Sequence, residues 1–257
     1  MSEFVWHRGT LISFEEAGLN PNGWPTGTGI FETVKTVNGL PWALSRHMRR
    51  ALSSAKRCEI PFPNEGEIRN AVALTIEVNP HAVGRLRLLF TSTGEFYVTH
   101  QAYEEFTSPA KLTIFESRID SSILVEKKFP YDANLKLLES ARDNGFDDGI
   151  LINESGRVTE TAISNLLFLV NGNWVTPPIS DGVLPGIMRA LVIEKEGVRV
   201  ASISVEELDQ VSSAFLLSSL KIAQPISQIG ERELQISPES EQMRARIAAT
   251  ALATSVG

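Results

Sequence analysis

Between Gly149 and Thr176 four short segments, Gly149–Asn153, Arg157–Thr161, Asn165–Val170 and Asn173–Thr176, follow one another with glycine or polar breaks between them. Each is too short for a stable helix and carries residues that suit a pleated surface, so this part of the chain reads as sheet. A second sheet signal lies upstream. Thr28–Val37 is β-branched and aromatic with partial alternation, Asn38-Gly39 supplies a hairpin turn, and Pro41–Leu44 returns. Ser45 is placed to cap a helix on which Met48, Leu52 and Ala55 share a face and which Pro61 ends. A second helix is expected after Asn64, then strands Arg85–Thr91 and Phe96–His100 around a turn at 92–95.

Glu104–Ala110 is polar and carries a proline, which marks it as a linker between a first domain, residues 1–105, and a second, residues 111–257. The second domain should open with strand Lys111–Ser117. Asp132 then caps a helix that reaches Asn144 and stops at Gly145. Beyond the four short strands, Gly186–Lys195 reads as a helix opened by glycine, Val198–Ile203 and Ala214–Leu217 as strands, and Ser237-Pro238 as the start of a terminal helix.

The bulk numbers narrow the class. With 257 residues, 42% of them hydrophobic and 21% charged, the chain has the make-up of a folded globular protein. A net charge of −7 argues against nucleic acid, whose phosphates need clustered Lys and Arg. Cys58 is the single cysteine, and His7, His47, His81 and His100 show no ligand spacing, so no metal is expected. No apolar run approaches the roughly 18 residues needed to span a bilayer, and the start of the chain shows no basic-then-apolar signal pattern. The expected setting is the reducing cytoplasm, without a membrane.

Three features suit a phosphate-bearing ligand. Leu184–Arg189 delivers a helix N-terminus, whose amides and dipole favour an anion. Arg50, one turn from His47, can grip phosphate through its planar fork, and Ser218-Ser219 offers hydroxyl donors after an apolar strand. A serine-hydrolase reading of Ser218-Ser219-Leu220-Lys221 has no specificity, because Ser53-Ser54-Ala55-Lys56 repeats the pattern.

The segment from Lys127 to Phe168 resembles the class IV aminotransferases, the fold-type IV pyridoxal-phosphate enzymes. Lys127 through Asn134 is similar to the family's Lys-x-x-x-Tyr-x-x-Asn, and Val158-Thr159-Glu160 with Asn165-Leu166-Leu167-Phe168 to the motifs that follow. Gly29 through Val34, His47-x-x-Arg50 and Thr176 through Arg189 extend the resemblance over most of the chain. It implies a two-domain α/β (α+β) fold, with a small α/β first domain and a larger barrel-like second domain that carries the cofactor lysine. It also implies a homodimer acting on a small amino substrate, with pyridoxal 5′-phosphate as cofactor.

The resemblance makes Lys127 the residue that binds the cofactor covalently, since its distance before Gly145 matches the family's. Lys136 would fall inside the helix, and Lys128 would point to the opposite face of an extended strand. It further implies that Glu160 holds the pyridine nitrogen and that Tyr131 bonds the phenolic oxygen. Arg50, the amides of Ile187 and Met188, and Ser219 would hold the phosphate. Phe31 and Arg87 are candidates for the substrate, with Arg85 competing for its carboxylate.

Where branched-chain transaminases carry an arginine and a glycine, this chain has Lys35 and Thr33. With Phe31-Glu32-Thr33 and Gly186–Arg189, it looks more like aminodeoxychorismate lyases, which release pyruvate and form 4-aminobenzoate. A transaminase for branched-chain or D-amino acids stays open beside the lyase. A non-catalytic cofactor-binding regulator is disfavoured by the presence of both Lys127 and Glu160.

Overall fold

The computed structural model describes residues 3–121 and 124–253. Elements run β1 (Phe4–His7), β2 (Thr10–Ser13), β3 (Gly29–Val37), β4 (Leu40–Pro41), α1 (Leu44–Arg57), α2 (Glu65–Val78), β5 (Val83–Thr91) and β6 (Phe96–Ala102). They continue with β7 (Ala110–Ile119), β8 (Lys128–Phe129), α3 (Asp132–Asp143), β9 (Asp148–Asn153), β10 (Val158–Thr161), β11 (Asn165–Val170), β12 (Asn173–Thr176) and α4 (Ile187–Lys195). The last are β13 (Arg199–Val200), β14 (Val211–Leu217), β15 (Gln224–Ile229), β16 (Arg232–Glu233) and α5 (Pro238–Ala253).

The chain forms two compact units. Among the described residues, the first holds everything up to Glu105 together with Glu126–Tyr131, and the second holds Phe106–Val125 and Asp132–Ala253. The sheet of the first unit has the order β2-β1-β6-β5-β3-β4, with β8 also paired to β3. Period-two alternation divides its side chains. Ile30 and Val34 of β3, Leu86, Leu88 and Phe90 of β5, and Phe96 and Val98 of β6 pack against Met48, Ala51 and Ala55 of α1 and Ile68 and Val72 of α2. The intervening residues, including Phe31, Lys35, Arg85, Arg87 and Leu89, belong to the opposite face.

The helices of this unit show how local rules were met or overridden. Asn64 caps α2 by accepting the Glu67 amide through its side chain. Ser45 does not cap α1. Ala43 is the N-cap, in the left-handed region, and the Ser45 hydroxyl lies inside the first turn, where it accepts from Arg69. The buried face of α1 is Leu44, His47, Met48, Ala51, Ser54 and Ala55, and Leu52 falls beside it, 39% exposed. Helix α1 ends at Arg57, before Pro61.

The segment Glu126–Tyr131, which holds Lys127, belongs to the first unit, not to the second as the sequence suggested. Phe31 donates its amide to the Lys127 carbonyl at 2.9 Å, and β8 extends β3 with Gly29 opposite Phe129 and Ile30 opposite Lys128. A local pattern cannot foresee a pairing across about a hundred residues.

The second unit is a curled half-barrel with strand order β10-β9-β7-β15-β14-β11-β12-β13 and β16 on β15. Parallel pairs β7–β9 and β7–β15 sit beside antiparallel ones, around a core that includes Leu112, Ile150, Leu166, Phe168, Leu216 and Ile226. Strands β11 and β12 take the bounds expected from the sequence, Asn165–Val170 and Asn173–Thr176. Helix α3 stops with Gly145 at φ 82°, its amide on the Arg142 carbonyl and that of Phe146 on Ala141, a Schellman closure. The expected strand Val198–Ile203 shrinks to Arg199–Val200, because Ile203 turns inward and its carbonyl accepts the Val158 amide.

Candidate active site

In the first unit, Lys127 lies at the open edge of β3, half-buried, while Lys128 on β8 is exposed. Lys136 is exposed on α3 of the second unit. The Lys127 ammonium sits 4.5 Å from the centre of the Phe31 ring and 5.3 Å from that of Tyr131. Phe31 and Tyr131 meet edge to face at 5.0 Å, and Trp24 meets Phe31 the same way at 4.8 Å. The structure thus brings together three residues singled out in the sequence, Phe31, Lys127 and Tyr131, and adds Trp24.

Glu32 points to the other side of β3, toward α1. Its carboxylate takes Arg50 Nε at 2.8 Å and Nη2 at 2.6 Å, and His47 Nδ1 at 2.7 Å. Burial by itself would raise the Glu32 carboxyl, but the charge and hydrogen bonds of Arg50, then those of His47, outweigh it and hold it at about 2. Burial, with the charges of Arg50 and Lys127, lowers the His47 pKa against the pull of Glu32. His47 Nδ1 is the donor in this contact, since a carboxylate can only accept. The His-x-x-Arg spacing in α1 puts both side chains on this one carboxylate, a partner that the sequence did not assign.

Arg87 lies on the helix-free face. Its guanidinium carbon stands 4.1 Å over the Trp24 ring, and Nη1 donates to the Asn22 carbonyl at 3.0 Å. Burial, then the charge of Arg85, pulls its pKa down to about 9. Arg85 is also held, by Gln101, and Lys35 is held by Glu105.

In the second unit, Glu160 near the end of β10 is not a solvated strand end. Its Oε2 accepts Asn165 Nδ2 at 2.8 Å and the Leu184 amide at 3.2 Å. Asn165 reaches the Leu184 carbonyl at 3.1 Å with the same amide, which ties Glu160 to the approach to α4. Gly186, the N-cap of α4, has no room for a side chain, since a Cβ there would stand 1.8 Å from Asn165 Oδ1. The amides of Ile187 and Met188 open the helix and have no intrahelical acceptor.

Ser219 follows β14 in a tight turn, in which the Ser218 hydroxyl accepts the Lys221 amide at 3.1 Å and the Ser218 carbonyl that of Ile222 at 2.8 Å. Asp148, wholly buried, accepts Thr161 Oγ1 at 2.8 Å and the Ala162 amide at 3.1 Å, fixing the chain just after Glu160. Burial pushes the Asp148 carboxyl up against the pull of Lys221. Asp148 and Asn165 were missed as supports, although Asn165 stands in a quoted motif.

In the first unit Lys127 supplies an amine, chemistry that fits an aldehyde. In the second, Glu160 is a carboxylate oriented by two donors and α4 opens with the amides of a helix N-terminus, chemistry that fits a ring nitrogen and a phosphate. Among the described residues no cluster of potential metal ligands occurs, and no helix is long and apolar enough to cross a membrane.

Comparison with known proteins agrees. The family model for amino-transferase class IV matches residues 29–229. The aminodeoxychorismate lyase of Bacillus subtilis is 23% identical over 254 residues, covering 88% of this chain and 87% of its own. A branched-chain aminotransferase from Thermoproteus uzoniensis, solved with norvaline, superposes with a TM-score of 0.86 at 24% identity, covering 99% of this chain and 96% of its own. A hypothetical aminotransferase from Mycobacterium tuberculosis, bound to α-ketoglutarate and PMP, gives 0.87 at 21% identity, with coverage of 97% and 99%. The chain belongs to the class IV aminotransferase family and is an enzyme that depends on pyridoxal 5′-phosphate.

Proposed function

We propose that the protein is a 4-amino-4-deoxychorismate lyase, releasing pyruvate and forming 4-aminobenzoate. The observation that carries this reading is the group Trp24, Phe31 and Tyr131 with the Arg87 guanidinium stacked on it, next to Lys127. Aromatic walls and a buried cation suit a flat, carboxylated ring better than a branched aliphatic side chain.

Lys127 would hold the cofactor through its amine and would serve as the base for the proton on the substrate carbon that bears the nitrogen. Glu160 keeps the ring nitrogen protonated, and Asn165 and the Leu184 amide orient that carboxylate. Pyridoxal phosphate, when bound, would supply an electron sink. For the phosphate the candidates would be Arg50, set by Glu32, in the first unit, and the amides of Ile187 and Met188 with Ser219 in the second. Tyr131 bonds the phenolic oxygen, and Arg87 takes the substrate carboxylate.

The test is to incubate the enzyme, saturated with pyridoxal phosphate, with 4-amino-4-deoxychorismate and to measure pyruvate and 4-aminobenzoate. Equimolar formation of both supports the lyase. Amino transfer from branched-chain or D-amino acids to a keto acid, without pyruvate release from aminodeoxychorismate, replaces it with the transaminase.

A further inference from the structure

We propose that Trp24 is a specificity-determining residue that, together with Arg87, selects substrates whose carboxylate is borne on a flat unsaturated ring. The proposal deepens the lyase reading and rests on its assignment of Arg87 to the substrate carboxylate.

Trp24 is presented by a closed turn. Asn20 Oδ1 accepts the amides of Asn22 and Trp24 at 2.9 and 3.0 Å, the Asn20 amide donates to the Trp24 carbonyl at 2.9 Å, and that of Gly23 to the Asn20 carbonyl at 2.8 Å. These four bonds fix the backbone of the turn from which the indole projects. The same turn offers the Asn22 carbonyl to Arg87 Nη1, so one short loop positions both an aromatic plane and a guanidinium.

Arg87 is 9% exposed, and its Nε–H is buried with no hydrogen-bond partner among the described residues. A charged donor left bare inside a fold is costly, and folds rarely carry one unless something else uses it. A carboxylate oxygen is the natural acceptor. A guanidinium that served only to stack on Trp24 would gain nothing from leaving Nε unpaired.

The rings around it define what carries that carboxylate. Trp24 stands at 85° to Phe31, and Phe31 at 75° to Tyr131, so their faces and edges are turned toward one another in alternation. A planar ring entering this group meets both faces and edges, whereas an aliphatic chain gains only burial. Nothing local in the sequence marks Trp24, because its partners lie on β3, on β5 and after β8.

The test is calorimetric titration of the enzyme, saturated with pyridoxal phosphate, with 4-aminobenzoate and with 4-methyl-2-oxopentanoate as the aliphatic acid. Trp24→Leu should weaken 4-aminobenzoate by about tenfold and the aliphatic acid by less than about twofold, while Trp24→Phe keeps most of the preference. Arg87→Leu should weaken both acids, by about thirtyfold, and Arg87→Lys by less. Equal weakening of the two acids in Trp24→Leu, no weakening of either, or no binding of 4-aminobenzoate by the wild type overturns the proposal. The cofactor's absorbance band, recorded on the same samples, reports separately. Its absence from the wild type overturns the cofactor assignment, and its presence with the wrong selectivity overturns only the role of Trp24.

Discussion

Glu32 and Arg50 meet in a two-point grip, Nε on Oε1 at 2.8 Å and Nη2 on Oε2 at 2.6 Å, with Glu32 only 1% exposed at the centre of β3. The side chain that the family resemblance assigns to the phosphate is thus itself aimed by a buried carboxylate. Removing one partner of a buried pair leaves an uncompensated charge, typically at about 3–5 kcal/mol.

Glu32 therefore makes stability depend on pH in a definite direction. Its carboxyl, ordinarily near 4.5, is held at about 2 in the fold, so its contribution is complete above pH 4.5 and is lost as the pH falls toward 2. The shift corresponds to about 3 kcal/mol. Urea unfolding at pH 7 and pH 3.5 should show a loss of stability in the wild type that is smaller in Glu32→Gln. Parallel losses in both proteins would show that Glu32 is not the titrating group.

Asn165 should matter for the cofactor although it is not assigned a contact with it. Asn165→Leu removes the donor that orients Glu160, and it should weaken pyridoxal phosphate binding by about 10- to 100-fold. Asn165→Asp should be worse, because it sets a second carboxylate against Glu160. Equilibrium dialysis of the cofactor measures both, and an unchanged affinity in Asn165→Asp would exclude the orienting role.

Arg87 should show opposite effects on stability and binding. It is a buried cation with an unpaired Nε, so Arg87→Leu is expected to leave the protein equally stable or to raise its stability by about 1 kcal/mol while carboxylate binding falls. Thermal unfolding alongside the titrations checks this. A large drop in stability would mean that the guanidinium serves the fold.

Much of the architecture was legible because it is local. β11 and β12 are short apolar runs between polar or glycine breaks, Asn64 announces α2, and Gly145 ends α3. The hairpin β1–β2 escaped notice, since its strands are four residues long and broken by charged neighbours. The unit to which Lys127 belongs, the partner of His47 and Arg50, and the stack of Arg87 on Trp24 all depend on pairing between distant parts of the chain. For the candidate site, motif resemblance proposes Lys127 and Glu160, but it could not show which neighbours surround them.

The central claim is that Lys127 carries the cofactor, and the most direct measurement is the absorbance of the pyridoxal phosphate-saturated protein before and after borohydride, in wild type, Lys127→Ala and Lys128→Ala. The expected result is a reducible band, fixed to the chain by reduction, in the wild type and in Lys128→Ala but not in Lys127→Ala. A reducible, chain-bound band that survives in Lys127→Ala would contradict it.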